Sequence, residues 1–171
     1  SSCCSPIVCC LPQSQSNMLM HEKRKNKKYP LLPFSQLVFD MTRWAPWVYM
    51  FEVRWCWHGQ KKELQRIESA ILQVLNHHPV FNMHVDTHGY QSYQSSPATM
   101  KGQYYAVRLW TKGEDVYGRF RWSRILGDGK SIYIFFENVI RAYNGEVLPS
   151  DEYLTYLDEQ SHIQRSAHYA A

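Results

Sequence analysis

Hydrophobic and polar residues recur with two different periods along the chain, which predicts both strands and helices. Residues 49–57 alternate strictly, with aromatic and aliphatic side chains at the odd positions, which predicts a strand with one apolar face. Residues 60–77 and 132–143 instead carry apolar side chains three and four positions apart, as amphipathic helices do. Pro79 should end the first of these helices, and Asn144-Gly145 should end the second.

Shorter segments complete the predicted order of elements. We expect one further helix and two pairs of strands, over residues 34–42, 80–85, 90–94, 103–110 and 116–122. Ser131 is expected to cap the helix over 132–143, and the acids of residues 150–152 to begin a last helix. This order predicts an α/β protein of the α+β kind, with a mixed, largely antiparallel sheet covered by helices.

Composition indicates a folded chain of about one domain. Of 171 residues, 44% are hydrophobic and 15% are aromatic, which is enough for one sizeable core. No apolar run approaches the length of a membrane span, so we expect no membrane association.

The formal net charge of +4 comes from one short segment. Residues 21–28 hold five basic side chains and one acidic one, and the rest of the chain is balanced. Nucleic-acid binders usually spread basic residues over a folded face, so we expect no nucleic-acid partner. We predict that residues 1–28 form a disordered tail, whose Gln15–Met18 stretch resembles the remnant of a cleaved expression tag, and that residues 29–171 form the folded domain.

Cysteine and histidine positions predict neither a disulfide framework nor a metal site. Four of the five cysteines lie within residues 3–10, where they cannot tie distant segments together, so a reducing cytoplasm is expected. Cys56 is interpreted as an inert strand cysteine. Four histidines are close in sequence, but no carboxylate or cysteine completes a familiar ligand spacing; they are His77, His78, His84 and His88.

One motif resembles a known family. The segment Ser123-Arg124-Ile125-Leu126-Gly127-Asp128-Gly129, between a strand and a buried helix, resembles the His-His-x-x-x-Asp-Gly region of condensation domains of nonribosomal peptide synthetases. These domains belong to the chloramphenicol-acetyltransferase-like acyltransferases. Gln36 matches the family's opening Ser-x-Ala-Gln motif, and His78 and Phe81 match its Arg-His-Glu-x-Leu-Arg-Thr motif. The resemblance runs from about Tyr29 to the end of the chain and implies the N-terminal lobe of a two-lobed fold.

The catalytic positions implied by the resemblance are changed. Ser123 and Arg124 stand where the family has its two histidines, of which the second deprotonates or positions the nucleophile that attacks an acyl thioester. Arginine stays protonated, so Arg124 is not expected to act as a base. It could instead stabilise an oxyanion, hold a phosphate of a pantetheine arm, or be structural.

The remaining motif residues are expected to be structural. In the family the motif Asp pairs with an arginine whose position is Asn82 here, so Arg124 is a candidate replacement partner for Asp128. Gly127 and Gly129 are expected to permit backbone angles that other residues resist, and Asp128 to bond local amides. Direct contact of Asp128 and Gly129 with substrate is the alternative.

The resemblance leaves three functions open. The first is the N-terminal lobe of a condensation-type acyltransferase, which joins carrier-bound acyl and aminoacyl thioesters through an amide and would be inactive in isolation. The second is a non-catalytic docking module that binds carrier or tailoring proteins. The third is a self-assembling enzyme of the chloramphenicol acetyltransferase type. No bound cofactor is expected, although phosphopantetheine-linked thioesters are the implied substrates, and the implied partners are a carrier protein or a second lobe.

Overall fold

The computed structural model describes residues 27–45 and 49–169. Its regular elements, in chain order, are β1 (Lys28–Pro30), α1 (Pro33–Thr42), β2 (Met50–Trp57), α2 (Leu64–His77), β3 (Met83–Val85), β4 (Tyr90–Tyr93), β5 (Tyr105–Lys112), β6 (Asp115–Ser123), α3 (Gly129–Tyr143) and α4 (Tyr153–Tyr169). Two 3₁₀ turns flank α2, at Lys61–Glu63 and Pro79–Asn82. Within these ranges no helix combines the length and the apolar character that a membrane span requires.

The strands form two three-stranded antiparallel sheets. One has the order β1-β4-β3 and the other the order β2-β6-β5. In the second sheet β6 is central and pairs with the whole length of β2, from Met50 opposite Ser123 to Trp57 opposite Val116. The predicted α+β fold, with helices on largely antiparallel sheet, is confirmed, and the described strands divide between two sheets.

The main core lies between sheet β2-β6-β5 and the helices α2 and α3. The alternation predicted for β2 places its aromatic side chains on the face that packs against this core. Ile71 and Val74 of α2 are fully buried, and Phe120 of β6 packs against Phe135 of α3 with ring centroids 4.6 Å apart. Two smaller clusters hold α1 and α4 against the first sheet.

Several predicted boundaries are corrected. Helix α2 begins at Leu64 rather than at residue 60, because a 3₁₀ turn precedes it. Residues 80–82 belong to the 3₁₀ turn that Pro79 begins, so strand β3 is only three residues long. Helix α3 starts at Gly129 rather than at residue 132, with Asp128 as its N-cap; Ser131 contributes to the cap from the third helical position and is not the N-cap itself.

The predicted hairpin around residues 88–89 is confirmed. Strands β3 and β4 pair from Met83 opposite Tyr93 to Val85 opposite Gln91. Gly89 has a φ of +81°, which L-residues with side chains resist. Of the predicted tail, residues 1–26 lie outside the described residues, whereas Lys28 forms the first position of β1.

Candidate functional site

The motif loop, residues 123–129, begins where β6 leaves its sheet. Ser123 is 2% exposed, and its Oγ accepts a hydrogen bond from the backbone N–H of Ile125 at 3.3 Å. Its carbonyl oxygen accepts from Leu126 N at 3.0 Å, which closes a tight turn. The Ser35 hydroxyl of α1 donates to the Ile125 carbonyl at 3.1 Å and ties this turn to the first helix. Ser123 therefore stabilises the turn, and its catalytic assignment remains a prediction.

Arg124 lies beside two aromatic rings. Its guanidinium carbon is 5.3 Å from the ring centroid of Phe34 and 5.1 Å from that of Phe51, at cation–π distance. Its backbone N–H donates to the Tyr49 carbonyl at 2.8 Å. The Nε atom is buried and has no hydrogen-bond partner among the described residues. The structure therefore places the Arg124 side chain, partly buried, beside two aromatic rings.

Asp128 bonds to its own helix and not to Arg124. Its Oδ1 accepts from the backbone N–H of Ser131 at 3.0 Å and from the Ser131 hydroxyl at 2.9 Å. These bonds, led by the one from the Ser131 backbone, lower the pKa of the Asp128 carboxyl. Within the described part of the chain, Asp128 and Arg124 form no ion pair, so the expected replacement pair is not present.

The two motif glycines act differently from expectation. Among the described glycines the positive-φ residues are Gly59, Gly89, Gly113 and Gly145, and neither Gly127 nor Gly129 is one of them. A Cβ at Gly127 would lie 2.6 Å from Ser131 Oγ, whereas a Cβ at Gly129 would meet nothing within 4 Å. Gly127 is thus explained by the close approach of the helix cap, and the expectation of unusual backbone angles was wrong.

Asn82 and Gln36, the other motif residues, also have local partners. Asn82 is 9% exposed, its carbonyl accepts from Gln94 N at 2.8 Å, and its side chain bonds to the Tyr93 phenol. Gln36 Nε2 donates to Asp40 Oδ1 at 3.0 Å on the surface of α1. Asn82 therefore ties the 3₁₀ turn after α2 to β4 and the residue that follows it, whereas Gln36 bonds within α1.

A cavity of about 360 Å³ adjoins the motif loop. It is bounded by the end of α2, the following 3₁₀ turn, the end of β6, the start of α3 and the segment before α4. Its apolar wall includes Phe81, Trp122 and Phe135, and the indole Nε1 of Trp122 is buried with no hydrogen-bond partner among the described residues. Gly127 and Ser131 line it, but Arg124 does not.

The polar wall of this cavity is a hydrogen-bonded chain of three side chains. His78 Nδ1 bonds to Asp151 Oδ2, and His78 Nε2 lies 2.9 Å from Asn138 Nδ2. Asp151 Oδ1 accepts from the backbone N–H of Tyr153 at 2.8 Å. Burial opposes ionisation of Asp151, but the bonds from His78 and Tyr153 outweigh it, so the pKa of this carboxyl lies below its usual value.

Sequence reasoning missed the pairing of His78 with Asp151. The family match at His78 and the acids that predict the last helix, Asp151 among them, lie 73 positions apart, so no local pattern joins them. The ring of His77 packs against that of His78 with centroids 5.1 Å apart, whereas His84 is an exposed residue of β3. The one available signal was the family motif around His78, which did not name its partner.

A second polar group lies at the opposite end of β6. Cys56, His58 and Asp115 each offer a ligand atom, and these atoms lie within 4.8 Å of one another. Ser123 pairs with one end of β2 and Val116 with the other, so this group is about 25 Å from the motif loop along the strand. The strand alternation placed Cys56 and His58 on one face, but only the register of β2 on β6 adds Asp115.

Comparisons with known proteins agree on the fold. No family model matches the sequence, and no curated protein matches it either. Among solved structures, the starter condensation domain of rhizomide synthetase RzmA matches with a TM-score of 0.65 and 15% identity, over 85% of this chain and 46% of that one. A structure described as CT matches with a TM-score of 0.64 and 16% identity, over 91% of this chain and 44% of that one.

A third match comes from a protein complex. The complex of the X-domain and OxyB from teicoplanin biosynthesis matches with a TM-score of 0.62 and 14% identity, over 74% of this chain and 35% of that one. This chain therefore spans less than half the length of each of the three structures. Over most of its length, the chain has the fold of the condensation domains of nonribosomal peptide synthetases.

Proposed function

We propose that this chain is the N-terminal lobe of a condensation-type domain and that, alone, it does not catalyse amide bond formation. The observation that carries this proposal is Arg124 at the position of the family's catalytic histidine, between a condensation-like strand and helix. The family's reaction moves a proton from the attacking amine, which requires a group that titrates near neutral pH. Arg124 stays protonated and cannot accept that proton.

The surroundings of Arg124 support a binding or structural role. Its contacts with Phe34 and Phe51 favour a charged guanidinium, because aromatic faces attract cations. Its Nε, which has no hydrogen-bond partner among the described residues, could donate to an anionic group, such as the oxygen of a thioester intermediate or a phosphate. The aromatic contacts and the available Nε both fit a role in binding a carrier-linked substrate better than a role in proton transfer.

His78 does not supply the missing base. It is the histidine that lines the cavity beside the motif, but both of its ring nitrogens are engaged, one by Asp151 and the other by Asn138. A general base must present a free nitrogen to the proton that it takes. Because the chain spans less than half of its structural matches, a second lobe would have to complete any enclosed site.

The test is an acyl-transfer assay on the full chain. Carrier-bound acyl and aminoacyl thioesters are supplied to the wild type, to Arg124→His and to Arg124→Ala, with the exposed Arg108→Ala as a matched control. We expect no turnover by the wild type, Arg124→Ala or Arg108→Ala. Turnover by the wild type that Arg124→Ala abolishes and Arg108→Ala preserves would overturn the proposal, whereas turnover gained only in Arg124→His would indicate a decayed enzyme.

A docking module is the second candidate. The observation that favours it is the match to an X-domain solved in complex with OxyB, since that condensation-like domain is seen bound to another protein. By this reading the chain binds a carrier or a tailoring protein without acting on it. Saturable binding of a carrier protein to the wild type, with no product formed, would support the module, and absence of binding at high carrier concentration would count against it.

A further inference from the structure

We propose that Cys56, His58 and Asp115 form a zinc site at the end of sheet β2-β6-β5 that is remote from the motif loop. The site is independent of the proposed function, because none of its residues lies in the motif loop or lines the cavity beside it. It consists of one thiol, one imidazole and one carboxylate, which are three of the ligand types that zinc takes in proteins.

Strand geometry brings the three side chains together. Alternation along β2 places Cys56 on the outward face, and His58, which follows the last strand residue, continues on that face. The register pairs Cys56 with Tyr117 and Trp57 with Val116, so the next position brings His58 beside Asp115. The site is therefore built on two paired strands rather than on a free loop.

The separations fit a tetrahedral ion. Cys56 Sγ lies 3.7 Å from His58 Nδ1, and His58 Nδ1 lies 3.2 Å from Asp115 Oδ2. Zinc bonds of about 2.3 Å to sulfur and about 2.0 Å to nitrogen or oxygen, at tetrahedral angles, separate the ligand atoms by roughly 3.3–3.6 Å. Small side-chain adjustments are enough to seat an ion. The His58 side chain is 84% exposed, so water can reach a fourth position.

Outer contacts orient two of the three ligands. The backbone N–H of Gly59 donates to Asp115 Oδ1 at 2.8 Å, which holds the carboxylate while its other oxygen faces His58. The Tyr117 phenol contacts Cys56 by a hydrogen bond. Bonds of this kind around a metal site fix the ligands and tune its affinity.

The ligand types also suit zinc. A thiolate and an imidazole favour zinc over magnesium or calcium, which prefer sets made of oxygen atoms. The ordinary alternative is an exposed His58–Asp115 ion pair beside an unrelated thiol.

Bound zinc would link β2 to β6 at the open end of the sheet. Cys56 and His58 lie at the end of β2, and Asp115 is the first residue of β6. One ion would therefore join two strands whose ligands His58 and Asp115 are 57 positions apart in sequence. A ligand that binds only the folded state raises the unfolding temperature. Zinc is therefore expected to stabilise the chain as well as to mask the Cys56 thiol.

The experiment must separate this site from the cysteine-rich N-terminal segment. The full chain with Cys3, Cys4, Cys9 and Cys10 changed to serine keeps Cys56 as its single thiol. Zn²⁺ is titrated into this parent protein while alkylation of Cys56, thermal unfolding and the near-ultraviolet absorption of a Co²⁺-loaded sample are followed. The variants are Cys56→Ser, His58→Ala, Asp115→Asn and Tyr117→Phe, with the exposed His84→Ala as the matched control.

We expect one Zn²⁺ per chain, protection of Cys56 from alkylation that a chelator reverses, and a Co²⁺–thiolate charge-transfer band. Cys56→Ser loses the band, His58→Ala and Asp115→Asn weaken binding, and His84→Ala matches the parent. Tyr117→Phe weakens binding by roughly tenfold, as loss of an outer contact does. The proposal would be overturned if the parent bound Zn²⁺ no more tightly than Cys56→Ser does. It would also be overturned if His58→Ala and Asp115→Asn both bound Zn²⁺ as tightly as the parent.

Discussion

Asp128 and Ser131 cap the N-terminus of α3 reciprocally. The Ser131 backbone N–H donates to the Asp128 carboxylate at 3.0 Å, and the Asp128 backbone N–H donates to the Ser131 hydroxyl at 3.3 Å. Two backbone donors that the helix leaves unpaired are satisfied in this way. The motif aspartate therefore stabilises the start of α3 through a residue three positions away. The family resemblance instead implied an ion pair with an arginine distant in sequence.

This cap predicts a local and modest effect of substitution. Asp128→Ala should lower the free energy of unfolding by about 1 kcal/mol, because it removes an N-cap acceptor. Asp128→Asn keeps an acceptor oxygen and should stay close to the wild type. Chemical denaturation of the three proteins measures this. A loss of several kcal/mol in Asp128→Ala would reveal a further partner for the carboxylate.

Gly118 and Gly129 should respond in opposite ways to an added methyl group. A Cβ at Gly118 would lie 2.1 Å from ring atoms of Trp55, which packs against the main core, whereas one at Gly129 would meet nothing within 4 Å. Gly118→Ala should lower stability by roughly 3 kcal/mol, since the ring cannot move without repacking. Gly129→Ala should be neutral or slightly stabilising in the same denaturant titration. Equal effects of the two substitutions would contradict the packing described for β6.

A substitution at Gly89 should be destabilising because of backbone strain rather than because of a side-chain clash. Its φ of +81° predicts a cost of about 1 kcal/mol for Gly89→Ala. The nearest atom to an added Cβ is Gln36 Oε1 at 2.8 Å, but this is a terminal atom of a long side chain that can adopt another rotamer. The cost should therefore persist in a Gln36→Ala background. A cost that disappears in the double variant would show that the contact, rather than φ, is the cause.

Asp151 should make the protein sensitive to acid. Its pKa is lower in the folded chain than in the unfolded chain, so its contribution is fully present above the unfolded pKa of about 3.9 and is lost as the pH falls through the lower folded value. Asp151→Asn should cost roughly 2 kcal/mol at pH 7, because the bond to His78 loses its charge. It should also flatten the fall in stability below pH 4.

The matched control for this prediction is Glu152→Gln. Glu152 is the exposed neighbour of Asp151 and does not bond to His78 through its side chain among the described residues. Stability is measured by thermal unfolding between pH 3 and pH 7 for the wild type and both variants. If stability fell equally steeply below pH 4 in Asp151→Asn and in the wild type, Asp151 would not be the source of the acid sensitivity.

Local patterns predicted the elements well, but not their long-range partners. The alternation around Phe51 and Trp55 was enough to define β2 and its buried face, because each position depends only on its neighbours. The contact of His78 with Asp151 depends on where α4 begins relative to the end of α2, which no local period encodes. The same holds for Asp115, whose place beside His58 requires the pairing of two strands.

The family motif predicted the place of the site better than its chemistry. It located the turn between β6 and α3, with Asp128 at the helix start. The predicted bond of Asp128 to a local backbone amide is confirmed, but the predicted ion pair with Arg124 is not present among the described residues, because Asp128 bonds to the backbone and the hydroxyl of Ser131 instead. The contact that holds Asp128 is therefore a short-range one to Ser131, a residue that lies outside the family motif and that the motif does not specify.

Strand β1 has consequences for how the chain reaches its final form. Lys27 and Tyr29, at the start of the described chain, both bond to Asp158 of α4, and the Tyr29 hydroxyl does so at 3.1 Å. Sheet β2-β6-β5, by contrast, contains a hairpin with a two-residue turn that can close by itself. Loop closure across long segments is slow, so the hairpin should form early and the pairing of β1 with α4 last. During synthesis on the ribosome, β1 could pair with β4 as soon as that strand has emerged, but its contact with Asp158 would wait for nearly the whole described chain.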